Sequence, residues 1–150
     1  YEQTNVKMNE TNDALFTFIW SGIFERHPKL KLVIVESEIG WMPFLLQQWD
    51  YYFSRNRNEG KNQGDYKIDR LPSEIARDHV FATFMDDYVG SRSLSFWGEK
   101  NCMWSSDYPH GNMTFPNSMA FVARQVGDLP TATQKRLLSQ NVIDLYGLRV

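Results

Sequence analysis

The sequence lacks cysteine pairs, long apolar runs and a signal peptide. Cys102 is the single cysteine among 150 residues, which excludes an internal disulfide and a cysteine-rich zinc module. The apolar runs fall short of the roughly 18 residues that a transmembrane helix needs. The polar segment Tyr1–Asn5 lacks the basic and apolar regions of a signal peptide. These absences favour a cytoplasmic protein without a membrane partner.

Neither sign of charge is in excess. The 16 Lys and Arg residues face 18 Asp and Glu residues, which gives a formal net charge of −2. Nucleic acids and anionic membrane surfaces attract strongly basic proteins, so this balance argues against them as main partners. Hydrophobic residues make up 42% of the chain and aromatic residues 15%, which is enough for a core. We therefore expect one folded domain over residues 1–150.

Apolar runs alternate with amphipathic segments along the chain. The runs at 30–35, 80–85 and 101–105 predict three strands, and the first is apolar nearly throughout, as in a parallel sheet covered on both faces. The other segments predict helices at 12–27, 41–57, 71–79, 90–97 and 116–126, a helix opened by a capping box at 131–134 and a last helical turn at 142–146. Residues 1–10 are expected to be loosely ordered, and residues 54–70 to form a surface loop.

The alternation of strands and helices predicts parallel βα units with right-handed crossovers, and thus an α/β fold. A closed (β/α)8 barrel needs eight strands, and three strands leave two open sheet edges. We therefore expect the chain to associate with a second copy or with a further protein segment that covers these edges.

Acidic side chains follow each predicted strand. Glu36 comes directly after the first strand, Asp86 after the second and Asp107 after the third, with His110 three residues further on. Because the carboxyl ends of parallel strands meet at one edge of a sheet, we expect these side chains to converge. Such a carboxylate ligates a metal or transfers a proton, and an imidazole there binds substrate, transfers a proton or ligates a metal. The alternatives are a helix cap or arginine partner for Asp107 and an exposed loop position for His110.

Other polar residues are expected to be structural. Glu38 is interpreted as a solvated turn residue, and one of the two aspartates after the second strand as the cap of the next helix. His27 and His79 each fall at a helix end, where a cation complements the helix dipole. Cys102 lies in a predicted strand and is expected to be an inert buried thiol. The lack of a glycine-rich phosphate loop after the first strand argues against a flavodoxin-like ligand-binding domain.

Seven short segments occur in an order and spacing that are quite specific in combination. They are residues 21–31, Glu36 with 39–43, 71–74, 84–87, 103–110, 116–118 and 141–147. With these segments the chain resembles the C-terminal part of the amidohydrolase-related branch of the amidohydrolase superfamily, which includes the aminocarboxymuconate-semialdehyde decarboxylase-like enzymes. The resemblance covers nearly the whole chain.

The resemblance implies a metal-dependent (β/α)8 TIM barrel, of which this chain supplies the last three βα units and the C-terminal helices. In such barrels the aspartate that ends the eighth strand binds the metal or transfers a proton, and Asp107 matches it. Glu36 stands where the decarboxylase-like members carry the histidine of the sixth strand. The metal-binding histidines of the first and fifth strands have no counterpart, so we expect the chain to be a piece of a longer or assembled enzyme.

The function implied by the resemblance is metal-dependent hydrolysis of a small carboxylated or cyclic substrate. Asp107 is then a catalytic residue and metal ligand, Glu36 is a second catalytic residue, and His110 and Asp86 bind the substrate. The implied cofactor is a divalent metal ion, zinc, in a site that this chain leaves incomplete. Two alternatives stay open: non-oxidative decarboxylation on the same scaffold, and a catalytically silent structural or oligomerising remnant.

Overall fold

Helices and strands alternate along the chain, as the sequence predicts. The computed structural model describes residues 2–58 and 68–149. In chain order the elements are α1 (Glu2–Trp20), α2 (Ile23–Arg26), β1 (Leu32–Ile34), α3 (Met42–Asn58), α4 (Pro72–His79), β2 (Val80–Phe84), α5 (Tyr88–Arg92), α6 (Leu94–Trp97), β3 (Cys102–Trp104), α7 (Ser118–Val126), α8 (Thr131–Lys135) and α9 (Asn141–Tyr146). A 3-10 turn (Glu99–Asn101) precedes β3, and a π-helical turn (Arg136–Gln140) joins α8 to α9.

The strands form a three-stranded sheet in the order β1-β2-β3. β2 and β3 run parallel, and Ala82 pairs with Cys102 and Phe84 with Trp104. One further backbone bond, from Ser105 N to Phe84 O at 2.9 Å, extends the contact beyond β3. All three predicted strands are confirmed, although each is shorter than its apolar run. Beyond β1 and β2 the backbone N–H groups of Glu36, Met85 and Asp86 donate to side chains and not to a neighbouring strand, so these two strands end there.

The chain divides into two compact units. The first unit comprises Tyr1–Leu32 and Phe44–Val80. Its buried apolar side chains include Leu15, Ile19, Phe24, Leu46 and Ile75, which lie on α1, α2, α3 and α4. The buried His79 ring stacks on Phe24 with 4.7 Å between ring centroids, and its Nδ1 lies 2.9 Å from Leu30 O. His79 is therefore structural, as predicted, but through ring packing and this contact.

The second unit comprises Val33–Pro43 and Phe81–Val150 and contains the carboxyl ends of the strands. Its buried apolar residues include Phe84 on β2, Cys102 and Met103 on β3, and Val122 and Val126 on α7. The buried Asn141 of α9 donates from Nδ2 to the carbonyl oxygens of Glu99 and Cys102, at 2.6 and 2.7 Å. These bonds attach the C-terminal helix to the start of β3.

The start of the chain differs from the prediction. Residues 2–10 are helical and not loosely ordered, so α1 begins well before residue 12, where the sequence predicts the first helix to start. The segment contains no Pro or Gly, and its Glu, Gln, Lys and Met residues favour helix even though it is mostly exposed. The predicted helix also breaks earlier than Pro28, because Gly22 adopts a left-handed conformation with φ 68° between α1 and α2.

Two further element predictions need correction. The predicted loop at 54–70 begins as helix, since α3 continues to Asn58, and residues 59–67 lie outside the described part of the chain. The predicted capping box at Thr131 is wrong because Pro130 is the N-cap of α8 and no side chain caps it. Thr133 instead donates from Oγ1 to Glu99 Oε2 at 2.9 Å. Among the described helices, none has the length and hydropathy to cross a membrane.

Candidate functional site

The predicted site residues lie in the loops that follow the three strands, all within the second unit. Glu36 lies two residues beyond β1, Asp86 two residues beyond β2, and Asp107 three residues beyond β3. The sheet order places the end of β2 between the ends of β1 and β3. The loops that carry these three acidic residues therefore follow neighbouring strands of the sheet.

Glu36, Asp107 and His110 form a cluster of potential metal ligands. One ligand atom from each lies within 4.8 Å of the other two. His110 Nδ1 is 3.5 Å from Asp107 Oδ2, and the Asp107 side chain is 13% exposed whereas that of His110 is 70% exposed. The structure therefore brings together a largely buried carboxylate on Asp107, an exposed carboxylate on Glu36 and an exposed imidazole on His110.

The backbone at the site adopts an uncommon conformation. Glu36, Glu38 and Asp107 have φ values of 57°, 56° and 56°, in the left-handed region that residues with a Cβ rarely occupy. Each such residue costs about 1–2 kcal/mol relative to the right-handed conformation. Backbone strain of this kind concentrates at functional sites, where the surrounding structure maintains it.

Hydrogen bonds from both backbone and hydroxyl groups order the loop after β3. The backbone N–H of Asp107 donates to Ser105 Oγ at 3.4 Å, and that of His110 donates to Asp107 O at 2.8 Å. The buried Thr114 donates from its backbone N to Ser106 O at 3.0 Å, and its Oγ1 lies 2.9 Å from Ser118 Oγ. The loop that carries Asp107 and His110 is therefore tied back to its own start.

Asp86 lies outside the ligand cluster. Its carboxylate accepts a hydrogen bond from Arg124 Nη2, and about half of each side chain is exposed. An exposed pair of this kind contributes little to stability. The structure thus gives Asp86 an arginine partner on α7, and its predicted substrate-binding role stays a prediction.

Glu38 is not the solvated turn residue expected from the sequence. Its Oε2 accepts a hydrogen bond from Met85 N at 3.0 Å and its Oε1 one from Asp86 N at 3.2 Å. Burial raises the pKa of the Glu38 carboxyl, the two backbone N–H groups oppose this shift, and the charges of Asp87 and Asp86 add to it. Glu38 therefore links the loop after β1 to the end of β2.

Asp87 is the aspartate that caps the following helix. Its Oδ1 accepts from Gly90 N at 2.7 Å, in the first turn of α5. Its Oδ2 also accepts from Ile39 N at 2.8 Å and Gly40 N at 2.6 Å. The same carboxylate thus caps α5 and holds the loop after β1.

Gln125 on α7 completes this set of contacts and was missed by the sequence analysis. The side chain is fully buried; its Oε1 accepts from Asp87 N at 2.7 Å and its Nε2 donates to Met85 O at 2.7 Å. The signal in the sequence is a glutamine on the apolar face of a helix, between Val122 and Val126. A polar residue at such a position needs buried hydrogen-bond partners.

The remaining predictions of structural roles concern Cys102, which is confirmed as a buried thiol, and His27. Cys102 is fully buried in β3, and burial raises the pKa of its thiol far above the usual value, so the thiolate is strongly disfavoured. His27 follows α2 and is exposed, and its predicted structural role at the helix end stays a prediction.

The donor set of the cluster fits a divalent cation. Two carboxylates and one imidazole are ligands for Mn²⁺ or Zn²⁺, and carboxylate oxygen favours Mn²⁺ over softer metals. Three protein ligands leave coordination positions for water, substrate or further side chains. Glu36, Asp107 and His110 are thus the described residues of this unit that could hold a metal together.

Comparison with known proteins gives one family and a group of related structures. A family profile described as Amidohydrolase matches residues 6–148. No curated protein shows a significant match. Solved structures that resemble the chain include a 5-carboxyvanillate decarboxylase from Sphingomonas paucimobilis, with a TM-score of 0.74 and 24% identity over 93% of this chain.

Two other structures give the same picture. A dihydroxybenzoic acid decarboxylase from Polaromonas sp. JS666, with bound manganese and 2-nitroresorcinol, has a TM-score of 0.72 and 19% identity over 95% of this chain. An amidohydrolase from Mycobacterium avium subsp. paratuberculosis K-10 has a TM-score of 0.72 and 23% identity over 92%. The chain spans 40%, 41% and 33% of these three proteins, respectively. At such identities the likeness establishes the fold, and it confirms the prediction of a partial (β/α)8 barrel.

Proposed function

The chain belongs to the amidohydrolase family, and we propose that it supplies part of the metal site of an enzyme that decarboxylates a small aromatic acid without oxidation. The observation that carries this proposal is the meeting of Glu36, Asp107 and His110 within 4.8 Å. The decarboxylases among the structural neighbours support this reaction over hydrolysis, which the sequence analysis placed first. The manganese bound by one of them supports Mn²⁺ in place of the zinc expected earlier.

In this proposal Asp107 and Glu36 hold the cation, and His110 binds the substrate carboxylate from its exposed position. The cation supplies positive charge that stabilises oxygen atoms of the substrate. During the reaction the bond between the ring and the carboxylate breaks, and carbon dioxide leaves. The electron pair stays on the ring carbon, which takes up a proton that the exposed His110 imidazole is placed to relay from solvent water. The other barrel strands would come from protein outside this chain.

The metal site is tested first, because the chain alone can be used. We expect the chain to bind Mn²⁺, followed as the loss of the free-ion signal in electron paramagnetic resonance. Asp107→Asn should weaken binding at least about tenfold, since it replaces a charged ligand. Asp128→Asn is the matched control, because Asp128 lies in the same unit, is exposed and pairs with Arg92 at 2.8 Å. Absence of binding by the unmodified chain, or equal binding by both variants, would contradict the site.

The reaction is tested in a protein in which the remaining strands complete the barrel. Carbon dioxide release from dihydroxybenzoates and hydrolysis of aryl esters are measured side by side with Mn²⁺. Decarboxylation that Asp107→Asn abolishes is the expected result. Ester hydrolysis without carbon dioxide release would favour the hydrolase interpretation. Absence of both reactions in a metal-loaded protein would favour a catalytically silent remnant.

A further inference from the structure

We propose that Glu38 and Asp87 are positioning residues that hold Glu36 beside Asp107 and His110. The inference rests on the proposed metal site for its functional meaning and on observed contacts for its geometry. We call the pair of side chains Glu38 and Asp87 the brace. Neither residue belongs to the ligand cluster, and each carboxylate binds backbone N–H groups of the other residue's loop.

Each of the two loops supplies a carboxylate that binds the backbone of the other loop. Glu38, from the loop after β1, accepts hydrogen bonds from Met85 N and Asp86 N at the end of β2. Asp87, from the loop after β2, accepts hydrogen bonds from Ile39 N and Gly40 N in the loop after β1. Hydrogen bonds to an ionised acceptor are about twice as strong as neutral ones. Neither loop can therefore move relative to the other without breaking several of these bonds.

The contact between the loops is also close-packed. A Cβ added at Gly40 would lie 2.8 Å from Asp87 Oδ1 and 3.0 Å from Gly90 N. A Cβ added at Gly90 would lie 2.3 Å from Ile39 Cγ1 and 2.6 Å from Asp87 Oδ2. These distances leave no room for a side chain at either glycine. The brace thus fixes the separation of the loops as well as their hydrogen bonding.

The contacts continue from the end of β2 to the end of β3. Trp104 donates from Nε1 to Met85 O at 3.2 Å, and Ser105 N donates to Phe84 O at 2.9 Å. Because Asp107 follows these residues, its loop starts from a backbone tied to β2. Glu36 lies two residues before Glu38 on the other side of β2. The position of Glu36 relative to Asp107 is therefore set through the brace and the end of β2.

The test uses the whole chain and two substitutions that preserve shape, Glu38→Gln and Asp87→Asn. Each places an amide NH2 where a carboxylate oxygen faced a backbone N–H, so each weakens the brace. Two-dimensional nuclear Overhauser spectra report whether Glu36 still lies beside His110, and they need no metal. Contacts between Ala82 and Cys102, paired in the sheet, report whether β2 and β3 remain intact. Mn²⁺ affinity is measured in parallel, and Asp128→Asn again serves as control.

We expect both brace variants to lose the contact between Glu36 and His110 while the β2–β3 contacts remain. Their Mn²⁺ affinity should fall about 10- to 100-fold, as for other substitutions that disturb the support of metal ligands. The control should keep both properties. The Asp87 carboxylate accepts three hydrogen bonds, one of which caps α5, so Asp87→Asn also removes support from that helix. Glu38→Gln leaves those bonds in place and decides the outcome if the Asp87 variant does not fold.

Three results would overturn the brace. The first is that the unmodified chain lacks the Glu36–His110 contact. The second is that the Glu38→Gln variant keeps both that contact and its Mn²⁺ affinity. The third is that the Glu38→Gln variant does not fold. The last would make Glu38 a general structural residue. If the unmodified chain binds no Mn²⁺ but Glu38→Gln still loses the contact, the proposed function fails and the brace stands.

Discussion

At the scale of single residues, the clearest constraint is the lack of space at Gly90. Its missing Cβ would overlap Ile39 and Asp87. We expect Gly90→Ala to lower the free energy of unfolding by about 1–3 kcal/mol, the usual cost of forcing atoms into a packed site. Gly111→Ala is the matched control, because a Cβ there meets nothing within 4 Å. Urea unfolding followed by circular dichroism measures both, and equal midpoints would contradict the packing described for Gly90.

Cys102 allows a second prediction at this scale. Its pKa is raised in the folded chain, so above about pH 9, its ordinary value, the unfolded thiol ionises while the folded one stays protonated. The unfolded state then binds fewer protons, and the stability of the fold decreases as the pH rises. We expect iodoacetamide to modify Cys102 only when the chain unfolds. An engineered Ser95→Cys at an exposed position is the control for reagent activity, and rapid labelling of native Cys102 would disprove its burial.

The residues of the ligand cluster could be predicted from the sequence, but the residues that support them could not. Glu36, Asp107 and His110 follow strands, and a rule about strand ends is sufficient to find them. Glu38 and Asp87 depend on which backbone N–H groups the folded loops present. That information is long-range, since the residues that bond lie 47 or 48 positions apart. A sequence pattern with periods of two or 3.6 residues does not contain it.

At the scale of elements, a single side chain connects the C-terminal helix to the sheet. Asn141 is 2% exposed, and its amide donates to two carbonyl groups around β3. We expect Asn141→Ala to cost about 2–4 kcal/mol, because it leaves two acceptors unsatisfied. Asn112→Ala in the exposed part of the loop after β3 is the control and should change stability by less than about 0.5 kcal/mol. Thermal unfolding of both variants is the measurement.

Element positions were easier to predict than element ends. The three strands and α3, α4 and α7 lie where apolar patterns place them. The ends depend on details that the pattern ignores, such as the left-handed Gly22 that divides the first helix. The polar first half of α1 is helical although it has no strong apolar face. A helix that has formed extends through such residues when no helix-breaking residue interrupts it.

At the scale of the whole chain, the sheet has two outer strands whose edges can pair with a strand of another protein segment. Among the described strands, β1 and β3 are the outer ones. Exposed strand edges promote pairing with another chain. We expect the chain to associate at micromolar concentration, with a second copy or with protein that carries the other barrel strands. Light scattering coupled to gel filtration checks this, and a mass of 17.6 kDa that does not change with concentration would count against it.

The fold class could be predicted for the whole chain, but the reaction could not. Alternating strands and helices determine an α/β fold, because few other arrangements bury such segments. Hydrolysis and decarboxylation can both occur on the same scaffold, so the fold class alone does not distinguish the two reactions. The proposed choice of decarboxylation therefore depends on the similar solved structures, because the sequence pattern does not specify the reaction.

The left-handed conformation of Glu36 predicts a trade-off between the stability of the chain and the metal binding proposed for this residue. Glycine adopts this conformation without a steric penalty, so Glu36→Gly should stabilise the chain by about 1 kcal/mol relative to Glu36→Ala, which keeps the penalty. Both variants should lose Mn²⁺ affinity equally, because both lack the carboxylate. Chemical denaturation and metal titration of the pair separate the two effects, and equal stabilities would show that the conformation costs nothing. A lower stability of Glu36→Ala than of Glu36→Gly, with the same loss of Mn²⁺ affinity, would show that Glu36 supplies a metal ligand at a cost to the stability of the fold.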